Sequence, residues 1–301
     1  MKSRTVIALI VVAAVVVVAG AGVVGWWMLR HGSVRSVAEQ YLHALEAGDI
    51  DTIDTMMAGL PLNREQRTTI GQAFAGATGH LTSARIDDIG SDGGVRATGR
   101  LDGSPVTIFF AVSRSGKLTG DFLGSLTVYP SIGTAARVGD ATILAGATVG
   151  LLPAVYPVRA LPDEVLHGTR TVALSNESST TVDLPVALAD GATDAVQKQL
   201  AAYEDRCAAS TTTVPAHCGL RVPWAADLRT LTSLDFRIDR RPALALAPDG
   251  SSFAASNGKI TATARGKGWD GASHTLVYRA DDWALRGRVV FDGATVSLHV
   301  D

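Results

Sequence analysis

Hydrophobic and polar positions change their period several times along this chain. Residues 6–29 read "VIALIVVAAVVVVAGAGVVGWWML", apolar throughout and without a charge. From 33 to 74 the apolar residues recur at three and four. In "SVRSVAEQYLHALEAGD" this puts Val37, Tyr41, Leu42 and Leu45 on one helical face behind a Ser33 N-cap, and Gly48 closes the helix. Asp49 or Asp51 is placed to cap a second short helix through Ile50, Ile53, Met56 and Met57, ended by Gly59-Leu60-Pro61. A third helix is predicted from about Asn63 to Phe74, with the methionine pair read as core filling. After Gly79 the period becomes two. "HLTSARIDDIG", "GVRATGRL", "SPVTIFFAVSR" and "KLTGDFLG" predict successive antiparallel strands joined at Ser91-Asp92-Gly93-Gly94, Asp102-Gly103 and Ser115-Gly116. Helices followed by a curled meander predict an α+β unit over residues 33–124.

From Ser125 to Leu188 no helical period occurs. "SLTVYPS", "ARVGDATIL", "GLLPAVYPVRAL", "TRTVALS" and "TTVDLPVAL" predict short strands of a small β-sandwich over 125–190. Thr193 or Asp194 is then placed to cap the helix "DAVQKQLAAYEDRC", and beyond Pro223-Trp224 the chain is again strand-like. Residues 191–301 thus read as a second α+β unit. An internal alignment predicts that it repeats the first. "VRATGR" (95–100) matches "ITATAR" (260–265), "VTIFFAV" (106–112) matches "HTLVYRA" (274–280), "KLTGDF" (117–122) matches "ALRGRV" (284–289), and "SLTV" (125–128) matches "SLHV" (297–300).

The apolar run sets the expected compartment. A helix over 6–29 measures roughly 36 Å, enough to cross a hydrocarbon core with some tilt. Trp26 and Trp27 fall where interfacial rings favour the headgroups. Lys2 and Arg4 precede the run and Arg30 and Arg35 follow it, so flanking charge decides little. A cleaved signal peptide is the rival reading, because "AGAG" at 19–22 offers small residues; the run's length and its continuation into the tryptophans argue for an uncleaved anchor. The expected topology is a cytoplasmic tail at 1–5, a single transmembrane helix at 6–29, and the remaining chain outside the cytoplasm at the cell membrane.

That placement decides how the only two cysteines, Cys207 and Cys218, are read. Outside the cytoplasm an even count closing a short loop reads as a disulfide. In the chain-entropy model a loop of about a dozen residues contributes roughly 3 kcal/mol. A zinc site would need His217 and further ligands not near in sequence, and a redox pair would need C-x-x-C.

Composition removes other classes. Hydrophobic residues make up 47%, charged residues 19% and net charge is −2, which leaves no electrostatic footprint for nucleic acid. The seven histidines are scattered singly, and no phosphate loop, nucleophile elbow or metal motif is present. No catalytic residue, cofactor or metal site is therefore assigned. Asp87-Asp88 reads as a solvated strand end, with a general base as the functional alternative, and Asp281-Asp282 before Trp283 as a polar hairpin turn. In "RIDRRP", Arg237, Arg240 and Arg241 lie close together. They read either as a solvent-facing strand end or as a candidate site for anionic envelope polymer or lipid headgroups, with Trp224 and Trp269 available for stacking. As exposed charges, their joint removal is expected to leave the thermal midpoint nearly unchanged.

Three stretches carry resemblances. "VAEQYLHALEAGDIDTI" followed by helix and sheet resembles the opening of NTF2-like (cystatin-like) domains. "GLLPAVYPV" resembles the G-x-Y-x-V closing strand of PEGA-like β-domains, with Ala154 where the pattern has Gly; there the Tyr packs and the motif is structural. "VPAHCGL" resembles the P-x-x-C ending found in actinobacterial membrane proteins. Anchor, NTF2-like and PEGA-like modules together resemble the arrangement of TcaA-like bitopic bacterial envelope proteins. The resemblance implies a membrane-anchored binding or scaffold protein. Its partners would be membrane lipid along 6–29 and a cell-wall polymer or another envelope protein. Two alternatives stay open: a small-ligand binder or enzyme using the cone-shaped cavity of an NTF2-like domain, and a subunit of a secretion or division complex.

Overall fold

The computed structural model describes residues 33–177 and 179–301. The expected cytoplasmic tail and the span at 6–29 lie outside the described residues. Among the described residues no helix is long and apolar enough to cross a membrane.

Three helices come first: α1 (Val34–Ala47), α2 (Ile50–Met57) and α3 (Arg64–Ala75). Each begins at a side-chain cap that satisfies an orphan amide. Ser36 N donates to Ser33 Oγ at 3.1 Å and Thr52 N to Asp49 Oδ1 at 3.1 Å, while Asn63 and Gln66 form a reciprocal capping box. Gly48 ends α1 at φ 68°, and a side chain there would run into the His80 ring at 2.8 Å. The meander follows in the order β1 (Thr82–Ile89), β2 (Gly94–Leu101), β3 (Ser104–Val112), β4 (Leu118–Thr119). Tyr41, Leu45, Ile53, Phe74, Ile108 and Phe110 are all buried between the helices and this sheet.

The helices do not close a self-contained unit with that sheet. Asp140 N donates to Gln72 O at 3.2 Å, and Thr78 N donates to Val155 O at 2.9 Å, so the end of α3 is sewn to the next sheets. Gly139, at φ 55°, lies so close that a Cβ would come 2.1 Å from Ala73 O. The helical layer is shared.

The middle of the chain holds β5 (Gly124–Pro130), β6 (Ala135–Val138), β7 (Ala141–Leu144), β8 (Thr148–Leu151), β9 (Ala154–Ala160), β10 (Leu166–His167), β11 (Thr169–Leu174), β12 (Ser179–Leu184) and β13 (Ala187–Leu188). One sheet runs β11-β9-β6-β7 and another β12-β5-β8, in which β12 and β5 are parallel; β10 and β13 form a separate pair. Leu126, Val128 and Leu184 of one sheet share a core with Ala136, Val138 and Val158 of the other. Tyr156 is fully buried there and donates to Leu152 O at 2.6 Å.

The last part comprises α4 (Ala192–Cys207), α5 (Trp224–Asp227), β14 (Leu228–Arg240), β15 (Ala243–Leu246), β16 (Ser252–Gly268), β17 (Ser273–Asp292) and β18 (Thr295–Val300). Helix α4 starts at Ala192 behind Gly191, without a side-chain cap; Thr193 and Asp194 lie inside the first turn, where Asp194 faces the positive end of the helix dipole. The sheet order is β14-β16-β17-β18, with β15 adding to β16.

Two expectations fail here. The predicted repeat is absent, because residues 274–280 and 284–289 lie on the single 20-residue strand β17. Their counterparts, 106–112 and 117–122, flank a turn closed by Ser113 N donating to Lys117 O. Residues 125–128 also leave the meander for another sheet, whereas 297–300 stay in theirs. The cause is Asp281-Asp282. It is no hairpin turn but a β-bulge: Gly258 to Ile260 spans two steps on β16 while Trp283 to Ala280 spans three on β17. Lys259 Nζ holds the bulge through Asp281 Oδ1 at 2.7 Å. The fold class is corrected as well. Among the described residues strand accounts for 49% and helix for 20%, so this part is mostly β with a curled sheet rather than two α+β units around a sandwich.

Candidate binding face

The longest strands carry the strictest alternation. Along β16, Ile260, Ala262, Ala264 and Gly266 are buried on one face, while Lys259, Thr263, Arg265 and Lys267 stand exposed or half-buried on the other, with Thr261 buried among them. Register extends this face into rows across three strands. Ser233, Arg265 and Thr275 form one row, Asp235, Thr263 and Val277 the next, and Arg237, Thr261 and Arg279 the third. Among the described residues no helix covers these rows: α4 packs on β15 and β18, and its buried Val196 and Leu200 belong to the main core. Lys259, Arg265, Lys267, Arg237 and Arg279 stand with Asp235, Asp239 and Asp281, and Asp270 at the hairpin tip and Asp282 in the bulge add two more carboxylates.

Asp235, Asp239 and Asp281 are held ionised. Ser210 Oγ donates to Asp235 Oδ1 at 2.6 Å and Arg265 pairs with its other oxygen, which together lower the Asp235 pKa. Asp239 is lowered by the Thr261 hydroxyl first, with Arg237 Nε at 2.8 Å adding to it. Asp281 is lowered by its bond to Lys259. Arg279 lies within Coulombic reach of Asp239 and Asp281. At the tip of the β16–β17 hairpin Trp269 is 71% exposed, and His274 Nε2 sits 3.0 Å from Asp270. Val277 also stands exposed in the middle row. The face therefore combines pinned charges, hydroxyls and two apolar contacts on a rigid sheet.

Of the three candidate arginines, the structure leaves one on this face. Arg237 sits in its third row; Arg240 turns at its end and donates from Nε to Asn257 O at 2.7 Å. Arg241 points to α4 instead. It donates to Glu204 Oε2 at 2.8 Å, to Asp205 Oδ1 at 2.6 Å and to Ala201 O at 3.0 Å. Glu204 is fully buried, its Oε1 has no partner, and burial pushes its carboxyl pKa up although Arg241 opposes this. Trp224 opens α5 and packs on a small second core around Leu228 and Leu234, away from the face.

The other candidates fall elsewhere. Asp87 accepts from Thr98 Oγ1 at 3.1 Å and lies 3.5 Å from Arg85, while Asp88 is exposed beside an open groove. Between the helices and the meander Tyr41 packs with its ring centroid 4.7 Å from that of Phe110, and Phe74 packs against His80. Cys207 and Cys218 form the disulfide, with Cα atoms 5.6 Å apart, and Trp283 Nε1 donates to Cys218 O at 2.8 Å. Among the described residues no group of three His, Cys, Asp or Glu side chains could hold a metal ion. Thr261, Thr263 and Arg265 were reachable from sequence: "KITATARGK" alternates at period two, but which face is covered depends on where Val214, Val222 and Trp224 pack. Comparison of the chain with protein-family models, curated proteins and solved structures gives no match.

Proposed function

We propose that this protein is an extracytoplasmic binding or scaffold protein of the cell envelope. It presents the outer face of the β14–β16–β17 sheet to an anionic cell-wall polymer. The observation that carries this reading is the array of rows that no described helix covers, in which Lys267 and Arg279 enter no ion pair among the described residues along strands that fix their spacing. A repeating anion can engage several such positions at once, and guanidinium groups bind phosphate oxygens in pairs. The charge-free run at 6–29 supports attachment at the membrane, and the disulfide suits an oxidising compartment. With Tyr41, Phe74 and Phe110 buried beside the meander, this reading is favoured over a small-ligand or enzymatic one based on a cone.

The test uses polyglycerol phosphate immobilised on beads. Replacing Arg237, Lys267 and Arg279 by Ser should lower retention at least tenfold and flatten its salt dependence. The thermal midpoint should stay nearly unchanged, since these are exposed charges. Retention equal to that of the unaltered protein would remove the face from consideration.

A further inference from the structure

Past the last residue of β18, the loop after the disulfide runs beside Ala284–Arg286 of β17 and leaves a half-open groove of about 710 Å³. Volumes of this order hold small ligands. Val214, Leu220, Leu285 and Val300 give it an apolar floor, all of them buried or half-buried. Arg221 and Arg286 line it from the loop and from the strand, and among the described residues neither enters an ion pair. His217 adds a third basic group, and Asp301 is the one carboxylate in the lining; its backbone N–H is spent on Arg286 O at 3.0 Å.

The loop wall is fixed from several sides. The disulfide ties it to α4, Tyr203 Oη donates to His217 O at 2.8 Å, and the Trp283 indole holds Cys218 O. His217 and Gly219 both take positive φ, 58° and 60°, and a Cβ on Gly219 would meet Ala284 O at 2.2 Å. The wall thus stands against the strand with no room to collapse, which lowers the ordering cost of binding.

We infer that this groove binds a small amphipathic anion: one carboxylate or phosphate carried on a compact apolar body. The head group sits between Arg221 and Arg286, and the body covers Leu220 and Leu285. Two guanidinium groups without a carboxylate partner beside an apolar floor match that chemistry and disfavour cations and plain sugars. The inference shares no residue with the sheet face and does not depend on it.

The experiment titrates hexanoate, hexyl phosphate, inorganic phosphate and hexylamine into the full chain in phospholipid nanodiscs, with empty nanodiscs as reference. The readout is the methyl resonances of Leu220 and Leu285. Hexanoate or hexyl phosphate should shift both methyls saturably, and their relative affinities identify the preferred head group. Inorganic phosphate alone should bind at least tenfold more weakly than hexyl phosphate, and hexylamine should not bind. The variant Arg221→Gln with Arg286→Gln should lose at least tenfold in affinity with an unchanged circular dichroism spectrum. If that pair disturbs folding, Arg221→Gln alone, on the exposed loop, should still weaken binding severalfold. Absence of shifts for both hexyl anions, equal binding by hexylamine, or full affinity in the folded variants would overturn the inference.

Discussion

Trp283→Ala should destabilise the protein by about 3–5 kcal/mol, the largest loss expected from any single truncation in the curled sheet. Trp283 is 2% exposed and heads the fully buried side chains by volume. It stands directly after the Asp281-Asp282 bulge, opposite Gly258, and its indole N–H is spent on Cys218 O. Truncation would empty the site, free that carbonyl and loosen the stapled loop from the sheet together. The neighbours cannot collapse into the space, because the disulfide holds the loop on one side and β16 holds the strand on the other. Equilibrium urea unfolding reads the loss. Trp283→Phe, which keeps an aromatic ring but loses the hydrogen bond, should recover more than half of it. Trp269→Ala, at the exposed hairpin tip, should cost well under about 1 kcal/mol.

Arg241→Met should cost about 2 kcal/mol, because it strands the buried Glu204 carboxylate without the cation that pairs with it. Breaking a fully buried pair costs about 3–5 kcal/mol. Arg241 is 41% exposed, so solvent screening reduces the expectation. Arg237→Met and Arg240→Met should each lie within about 0.5 kcal/mol of the parent. Reading the three arginines of "RIDRRP" as equivalent exposed charges predicts no loss for any of them; the geometry separates Arg241 from the other two. Combining Arg241→Met with Glu204→Gln should restore most of the lost stability, since the uncompensated charge is then gone. An additive double variant would show that Glu204 plays no part.

The helices and most strands were legible because their signals are local. Ser33, Asp49, Asn63 and Gly48 announce helix ends through side-chain and backbone chemistry that acts within three residues. The period-two runs announce strands. The disulfide was legible from two cysteines and an expected compartment. What stayed hidden was long-range. Nothing around Gly139 shows that its missing Cβ lets α3 dock against the β6–β7 turn, which turns an isolated α+β unit into a shared layer. Asp281-Asp282 carries a turn's composition, yet the ladder to β16 continues on both sides of it, so it forms a bulge within one extended strand. That single difference undoes the apparent repeat. The candidate face lay in plain alternation along β16, but Arg237 drew attention through its sequence neighbours Arg240 and Arg241, not through Arg279 and Thr261 across the sheet.

Hydroxyl-radical footprinting of the full chain with and without polyglycerol phosphate tests the central claim most directly. The account predicts that protection concentrates on Trp269, Val277 and the Lys259–Lys267 stretch of β16, and that it fades as salt is raised. Residues 34–75 and 82–119 should be unchanged. Protection confined to those helices and their meander, with the β14–β16–β17 face as reactive as in the free protein, would contradict it.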